Sequence, residues 1–262
     1  MQAPLTALRG LFNIAGGLPY HALAYRYRQR LWSDYASQVE RALLDWAPQG
    51  PELVIVGPSA GWLLPHSLLQ RFERVVAIEP DPLARWLLRQ RFSNIQWDFD
   101  VHDYFSPYGP EPWRAGLQRL AERYPDQPIY FAEFLGQFIG LYPDAIARET
   151  AGEVVETPAY AAWKREFRDT FGHRQVFSSH DRLVARQPPL CGALKLANEL
   201  CADELAAQLW PPQVEVLNPL TDSLFYSGTR RIAVWQRQPG FWHAMELVHS
   251  PLQSVDDVAF RA

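Results

Sequence analysis

Apolar positions along the chain follow two alternating rhythms. Leu31, Tyr35, Val39, Leu43 and Trp46 recur at helical spacing, and Pro48 with Gly50 ends that helix. A continuous apolar run, Leu53 to Val56, then reads as a strand buried on both faces, and Val75 to Ile78 repeats the pattern. Asp81 to Phe92 predicts a helix with Asp81 as N-cap and Pro82 at its first position. Asn94 to Asp100 predicts a short third strand, and Glu111 to Tyr124 a helix with Leu117 and Leu120 turned inward. Pro128 to Glu133 predicts a buried fourth strand. Strands alternating with helices imply an α/β fold, a doubly wound and mostly parallel sheet.

The rhythm changes beyond the fourth strand. Tyr142 to Thr150 and Tyr160 to Phe171 predict helices, so residues 138–178 read as a helical cap insertion over the cleft. Tyr142, Tyr160, Trp163 and Phe167 would then line a pocket or form the packed face of a lid. Ser178 to Arg186 reads as a polar turn running into strand five, Leu190 to Leu209 as one long helix, and Val214 to Leu217 as a short strand. Arg231 to Gln236 and Phe241 to His249, joined by Arg237-Gln238-Pro239-Gly240, predict an antiparallel hairpin. Residues 1–50 form an N-terminal helical segment in this reading, and 51–262 the main domain.

Candidate chemistry gathers at the strand ends, where open α/β sheets bind ligands. The first two strands are joined through Gly57-Pro58-Ser59-Ala60-Gly61, a small turn whose backbone a ligand can approach closely. The second strand ends on Glu79, a carboxylate able to accept from a ribose diol. The unit reads as a nucleoside-binding half-domain. A dinucleotide fingerprint would need glycine at 57, 59 and 62, where the chain carries Gly57, Ser59 and Trp62. The spacing Gly57-x-Ser59-x-Gly61, with Glu79 following 18 positions after Gly61, instead resembles motif I and the end of strand two in class I S-adenosylmethionine-dependent methyltransferases.

That resemblance implies a Rossmann-like, mostly parallel seven-stranded sheet, an antiparallel C-terminal hairpin, and S-adenosylmethionine as cofactor. Gly57, Ser59 and Gly61 would line the cofactor and Glu79 would hold its ribose. Asp100 would meet the adenine amino group, with Asp98 and Asp103 as alternatives; all three also suit turns and caps. The end of strand four faces the transferred methyl in the family, which places Glu133 there as general base or substrate anchor. His180, beside Asp181, is the other candidate base, although adjacent residues on an extended chain point to opposite faces. The implied activity is methyl transfer to a small-molecule or peptide nucleophile.

Composition narrows the partners. The net charge of -4 offers no electrostatic case for nucleic acid. The Tyr25-Arg26-Tyr27-Arg28-Gln29-Arg30 run, able in principle to stack on RNA, reads better as a helix face. Cys191 and Cys201 match neither a disulfide framework nor a metal motif, which suits reduced thiols in a cytoplasmic setting. No apolar stretch reaches the ~20 residues of a membrane helix, and Leu5 to Tyr25 lacks the charged start of a signal peptide. A homodimer or protein partner is left open. Two other functions compete. Ser59, and Ile55 where an acidic residue often stands, suit a catalytically inactive, partner-stabilising module; the partial fingerprint suits a nicotinamide-linked oxidoreductase.

Overall fold

The computed structural model describes residues 17–108, 113–150, 153–225 and 228–250. The signal-like stretch before residue 17 and Glu111, the expected start of a helix, lie outside them.

Two helices, α1 (Leu18–Tyr27) and α2 (Ser33–Trp46), precede β1 (Glu52–Val56). A short helical turn α3 (His66–Leu69) leads to β2 (Arg74–Ile78), followed by α4 (Pro82–Arg91) and β3 (Trp97–Asp100). Asp81 caps α4 by accepting from the Leu83 N–H at 2.8 Å, with Pro82 at the first turn, as its sequence demands. Next come α5 (Trp113–Arg123) and β4 (Ile129–Ala132). These parallel strands pair in the order β3-β2-β1-β4. Leu53 and Ile55 of β1 enter one core and Val54 and Val56 the other, the result of a period-2 strand covered on both faces.

Residues 138–178 differ from the expected helical cap. They hold two single turns, α6 (Phe138–Leu141) and α7 (Pro143–Ile146), and a two-stranded hairpin of β5 (Ala147–Thr150) and β6 (Glu153–Glu156). Helix α8 (Pro158–Phe171) then packs beside α5. Tyr160, Trp163, Phe167 and Phe171 are fully buried in the core beneath the sheet, so they are packing residues. Their i, i+3, i+4 spacing was legible; which surface they meet was not.

Strand β7 (Val176–Ala185) pairs parallel to β4, and includes the Ser178 to Arg182 segment expected as a turn. The hairpin forms as expected from β10 (Thr229–Gln238) and β11 (Phe241–His249), and β11 inserts antiparallel between β7 and β10. The expected long helix over Leu190 to Leu209 is instead an edge strand β8 (Ala193–Leu196) and a short helix α9 (Ala202–Leu209). With β8 and the two-residue β9 (Val216–Leu217), the sheet has nine strands among the described residues rather than seven. Cys191 and Cys201, expected on one helix, flank β8 as free thiols. The architecture is a mixed α/β, Rossmann-like sheet, mostly parallel, with the antiparallel hairpin and edge strand β8 on one side. Helices α1 and α2 cover one face, α5 and α8 the other. Among the described residues no helix is long and apolar enough to cross a membrane.

Candidate functional site

At the carboxyl end of β1 the chain turns through Gly57 (φ +66°), Ser59 (φ +50°) and Gly61 (φ +66°). Left-handed backbone suits glycine and strains serine by about 1 kcal/mol. The Gly57 N–H donates to the Ile78 carbonyl at 3.0 Å, which sets the turn against the tip of β2. There Glu79, 7% exposed, spans the gap. Its Oε2 accepts from the Ser59 N–H at 2.9 Å and its Oε1 from the Asp81 N–H at 3.0 Å. Burial lifts its carboxyl to about 7, against the pull of those two N–H groups. The structure therefore brings Gly57, Ser59, Gly61 and Glu79 together.

This set suits the ribose and methionine parts of S-adenosylmethionine. A carboxylate that accepts one N–H on each oxygen keeps acceptor capacity for two hydroxyls, and the positive-φ turn exposes backbone to a ligand. A Cβ on Gly57 would come within 2.9 Å of the Phe134 ring, so any group seated on the turn shares it with that aromatic face.

Asp100 is not free to meet an adenine. Tyr104 Oη donates to its carboxylate at 2.7 Å, Tyr124 Oη at 2.9 Å and the His102 N–H at 3.0 Å, with Arg123 Nε 2.9 Å away. Burial alone would raise its carboxyl, but these bonds outweigh it and hold the group below its ordinary value. Asp100 fastens the loop after β3 to α5, a structural role. Of its alternatives, Asp98 pairs with Arg74 at 3.0 Å, whereas Asp103 is exposed beyond the strand end. Its Oδ1 accepts from the Phe105 and Ser106 N–H groups.

The end of β4 carries a second acid, half-buried. Glu133 adopts φ +49°, and its Oε1 accepts from Ser179 Oγ at 2.7 Å and from Tyr35 and Tyr130 hydroxyls at 3.3 Å each. Burial raises its carboxyl to about 7, the three hydroxyls oppose the shift, and the charge of Asp181 adds to it. A base with that value is half ionised near neutrality, the condition for efficient proton transfer.

His180 is elsewhere. It is fully buried on the opposite face of β7, its Nδ1 3.0 Å from Ser178 Oγ and its Nε2 3.3 Å from Glu246 Oε2. Glu246 also accepts from Arg182 at 2.8 Å and Arg230 at 2.6 Å. Burial opposes ionisation of Glu246, but His180 and the two guanidinium groups depress it far below the carboxylate range. His180 therefore belongs to a structural ion cluster and has no route to a substrate at the strand tips.

The residue expected beside His180 turns the other way. Asp181 faces the Glu133 side, and its Oδ1 lies 2.6 Å from Nδ1 of His243 on β11. Despite burial, His243 keeps the Asp181 carboxyl below its ordinary value. Gly136, in the turn after β4, packs so closely that a Cβ there would lie 2.6 Å from Asp181 Cβ. Tyr20 of α1 completes the group: burial, then Glu133, raises its hydroxyl well above the usual range, and Asp181 adds to it. Sequence reasoning missed Tyr20, Tyr35, Ser179 and His243 because they come from four elements that only the fold brings together. A separate cavity of about 430 Å³ opens on the β3 edge, lined by Glu52, Arg74, Asp98 and Arg123. Its charges are already paired, and it includes neither Glu79 nor Glu133.

No protein-family model matches the sequence, and no curated protein matches it significantly. Among solved structures it is similar to the N-methyltransferase NodS from Bradyrhizobium japonicum WM9 in complex with S-adenosyl-L-homocysteine. That match has 13% identity and a TM-score of 0.43, over 96% of this chain and 100% of that one. It is also similar to magnesium protoporphyrin IX methyltransferase (ChlM) from Synechocystis PCC 6803 with bound SAM, at 11% identity and a TM-score of 0.44. Coverage there is 95% of this chain and 98% of that one. At these scores the likenesses carry no part of the functional argument, which rests on the residues themselves.

Proposed function

We propose that this protein transfers a methyl group from S-adenosylmethionine to a small-molecule nucleophile. One observation carries the reading: a buried carboxylate at the tip of β2, Glu79, bound to the backbone of a positive-φ turn at the tip of β1. Gly57, Ser59 and Gly61 would line the methionine part and Glu79 the ribose. For the adenine amino group we assign Asp103 rather than Asp100, because Asp103 alone of the three acids is exposed past the strand end and outside the ion pairs of Arg74 and Arg123.

When bound, the cofactor supplies an electrophilic methyl group. The protein's share is orientation and proton handling. Glu133 stands at the tip of β4, the strand that pairs with β1, one residue before Phe134, whose ring rests on Gly57. In its ionised form it accepts the proton that the nucleophile releases. Tyr35, Tyr130 and Ser179 hold Oε1 in place for this. Asp181 fixes His243 through Nδ1 beside it. Helix α1 excludes water from above: Tyr20 stacks on Trp32 at 5.7 Å, and His21 lies 3.7 Å from Asp81. Cys191 and Cys201, both free, suit a reducing, cytoplasm-like compartment.

A second reading, a cofactor fold that has lost turnover, draws on Ser59 in the left-handed backbone of the turn and on the Phe134 ring against Gly57. Calorimetric titration with S-adenosylmethionine and S-adenosylhomocysteine separates the two. Micromolar binding that drops at least tenfold in Glu79→Ala supports the cofactor site. A folded wild-type protein that binds neither ligand overturns it and leaves the inactive module.

A further inference from the structure

The group of side chains around Glu133 at the tip of β4 is more specific than methyl transfer in general requires. Glu133 and Asp181 are two carboxylates close enough for the charge of one to raise the other. All three hydroxyls that bond Glu133 converge on Oε1, and Oε2 takes no part in those bonds. Asp181 is matched by His243, whereas Glu133 is balanced by hydroxyl dipoles, which are neutral. Aromatic rings stand behind the carboxylates, with Tyr35 stacked on Trp235 at 5.2 Å and Tyr20 on Trp32 at 5.7 Å. The donors here are spent on the protein's own acids. What this end offers a newcomer is acceptor oxygen and negative charge.

We infer that the acceptor substrate is an amine, which enters as an ammonium ion against Glu133 and is methylated on nitrogen. The inference rests on the methyl-transfer reading and adds the acceptor class. An ammonium brings up to three donors and a charge that offsets the cost of burying Glu133 in ionised form, whereas a hydroxyl brings one donor and no charge. The step balances. Glu133 takes one proton from the ammonium and becomes a neutral acid, leaving an amine with a lone pair. That pair forms the N–CH3 bond as the S–CH3 bond breaks, its electrons staying on sulfur, which becomes a neutral thioether. The positive charge passes to nitrogen. The groups facing Glu133 are Tyr20 of α1, Tyr35 of α2, Tyr130 of β4, Ser179 and Asp181 of β7, Arg237 of β10 and His243 of β11. Burial places the Glu133 carboxyl near 7, within reach of an ordinary buffer series.

Sinefungin tests the idea without a known substrate, because a carbon-borne ammonium replaces the sulfonium methyl at the position from which the methyl leaves. Its affinity is compared with that of S-adenosylhomocysteine, which has no group there. The expected result is a preference for sinefungin of about tenfold or more at pH 8. It should shrink as the pH falls below 7, when Glu133 protonates. Glu133→Gln, which keeps an Oε1 for the three hydroxyls, should abolish the preference with S-adenosylhomocysteine binding unchanged; Asp181→Asn should lower it by a smaller factor. Equal affinities in the wild type, or a preference untouched by both substitutions in proteins with native circular dichroism, would overturn the amine assignment and leave the cofactor site standing. Failure of both ligands to bind the folded wild type would instead remove the methyl-transfer reading, and this inference with it.

Discussion

Glu133 combines left-handed backbone at φ +49° with a carboxyl raised to about 7, and both features cost stability. The direction of the pH effect follows from linkage. Between the unfolded value of 4.5 and about 7, the native state holds a proton that the unfolded state has lost. Stability contributed by this group is therefore present at low pH and lost as pH rises through that window. At 1.36 kcal/mol per unit the loss is roughly 3 kcal/mol, lessened by the solvent that still reaches the side chain. Glu133→Gln should accordingly be more stable than wild type at pH 8 by about 1–3 kcal/mol and nearly equal at pH 4.5, as urea unfolding at the two pH values would show. Of this residue, its position at the strand tip was legible from the apolar run before it. Its partners were not, since Tyr35 lies 98 positions away and Ser179 46.

Strand β7 shows how an element can be misread. Ser178, Ser179, His180, Asp181 and Arg182 are a polar run, which by itself signals a turn. Four are buried because another element satisfies them: Glu133 takes Ser179, His243 takes Asp181, and Glu246 takes His180 and Arg182, while Ser178 bonds His180 within the strand. Removing a shared acid from such a cluster leaves buried cations unpaired. Glu246→Ala should cost about 3–5 kcal/mol in chemical unfolding, even though the residue touches no substrate. The attachment of α5 is equally exacting. A Cβ at Gly116 would fall 1.9 Å from the Tyr104 carbonyl oxygen, a backbone atom with little freedom to yield. Gly116→Ala should therefore lower stability by about 2–3 kcal/mol or more, despite alanine's better helix propensity. It should also loosen the Tyr104–Asp100 bond, to be seen as faster amide exchange in the loop after β3. The apolar residues from Leu190 to Leu209 fit either the helical or the extended period. Pairing of β8 with β10 settles the first part as strand.

Across the whole molecule, two aromatic-rich cores sandwich the sheet, and the lower one is built around α8. Trp163 is fully buried against Trp113, Phe138, Tyr160 and Phe167. Trp163→Ala should cost about 3–5 kcal/mol, measurable as a fall in melting temperature with no selective loss of ligand affinity. Ligand binding should act in the opposite sense. S-adenosylhomocysteine at a hundred times its dissociation constant should add about 2.7 kcal/mol to the unfolding free energy, and a thermal-shift titration should find that gain missing in Glu79→Ala at the same concentration. The sequence by itself determined the alternation of strand and helix, the turn from Gly57 to Gly61, the acids at the tips of β2 and β4, and the C-terminal hairpin. Those are local signals, carried by period, propensity and spacing within a few residues. Only the tertiary structure decided that α8 is core rather than cap, that Asp100 is spent on Tyr104 and Tyr124, and that Asp181 answers to His243 across 62 positions while His180 faces away. Strand register and the alternation of faces decide which distant side chains meet, and neither is written in any short stretch of the chain.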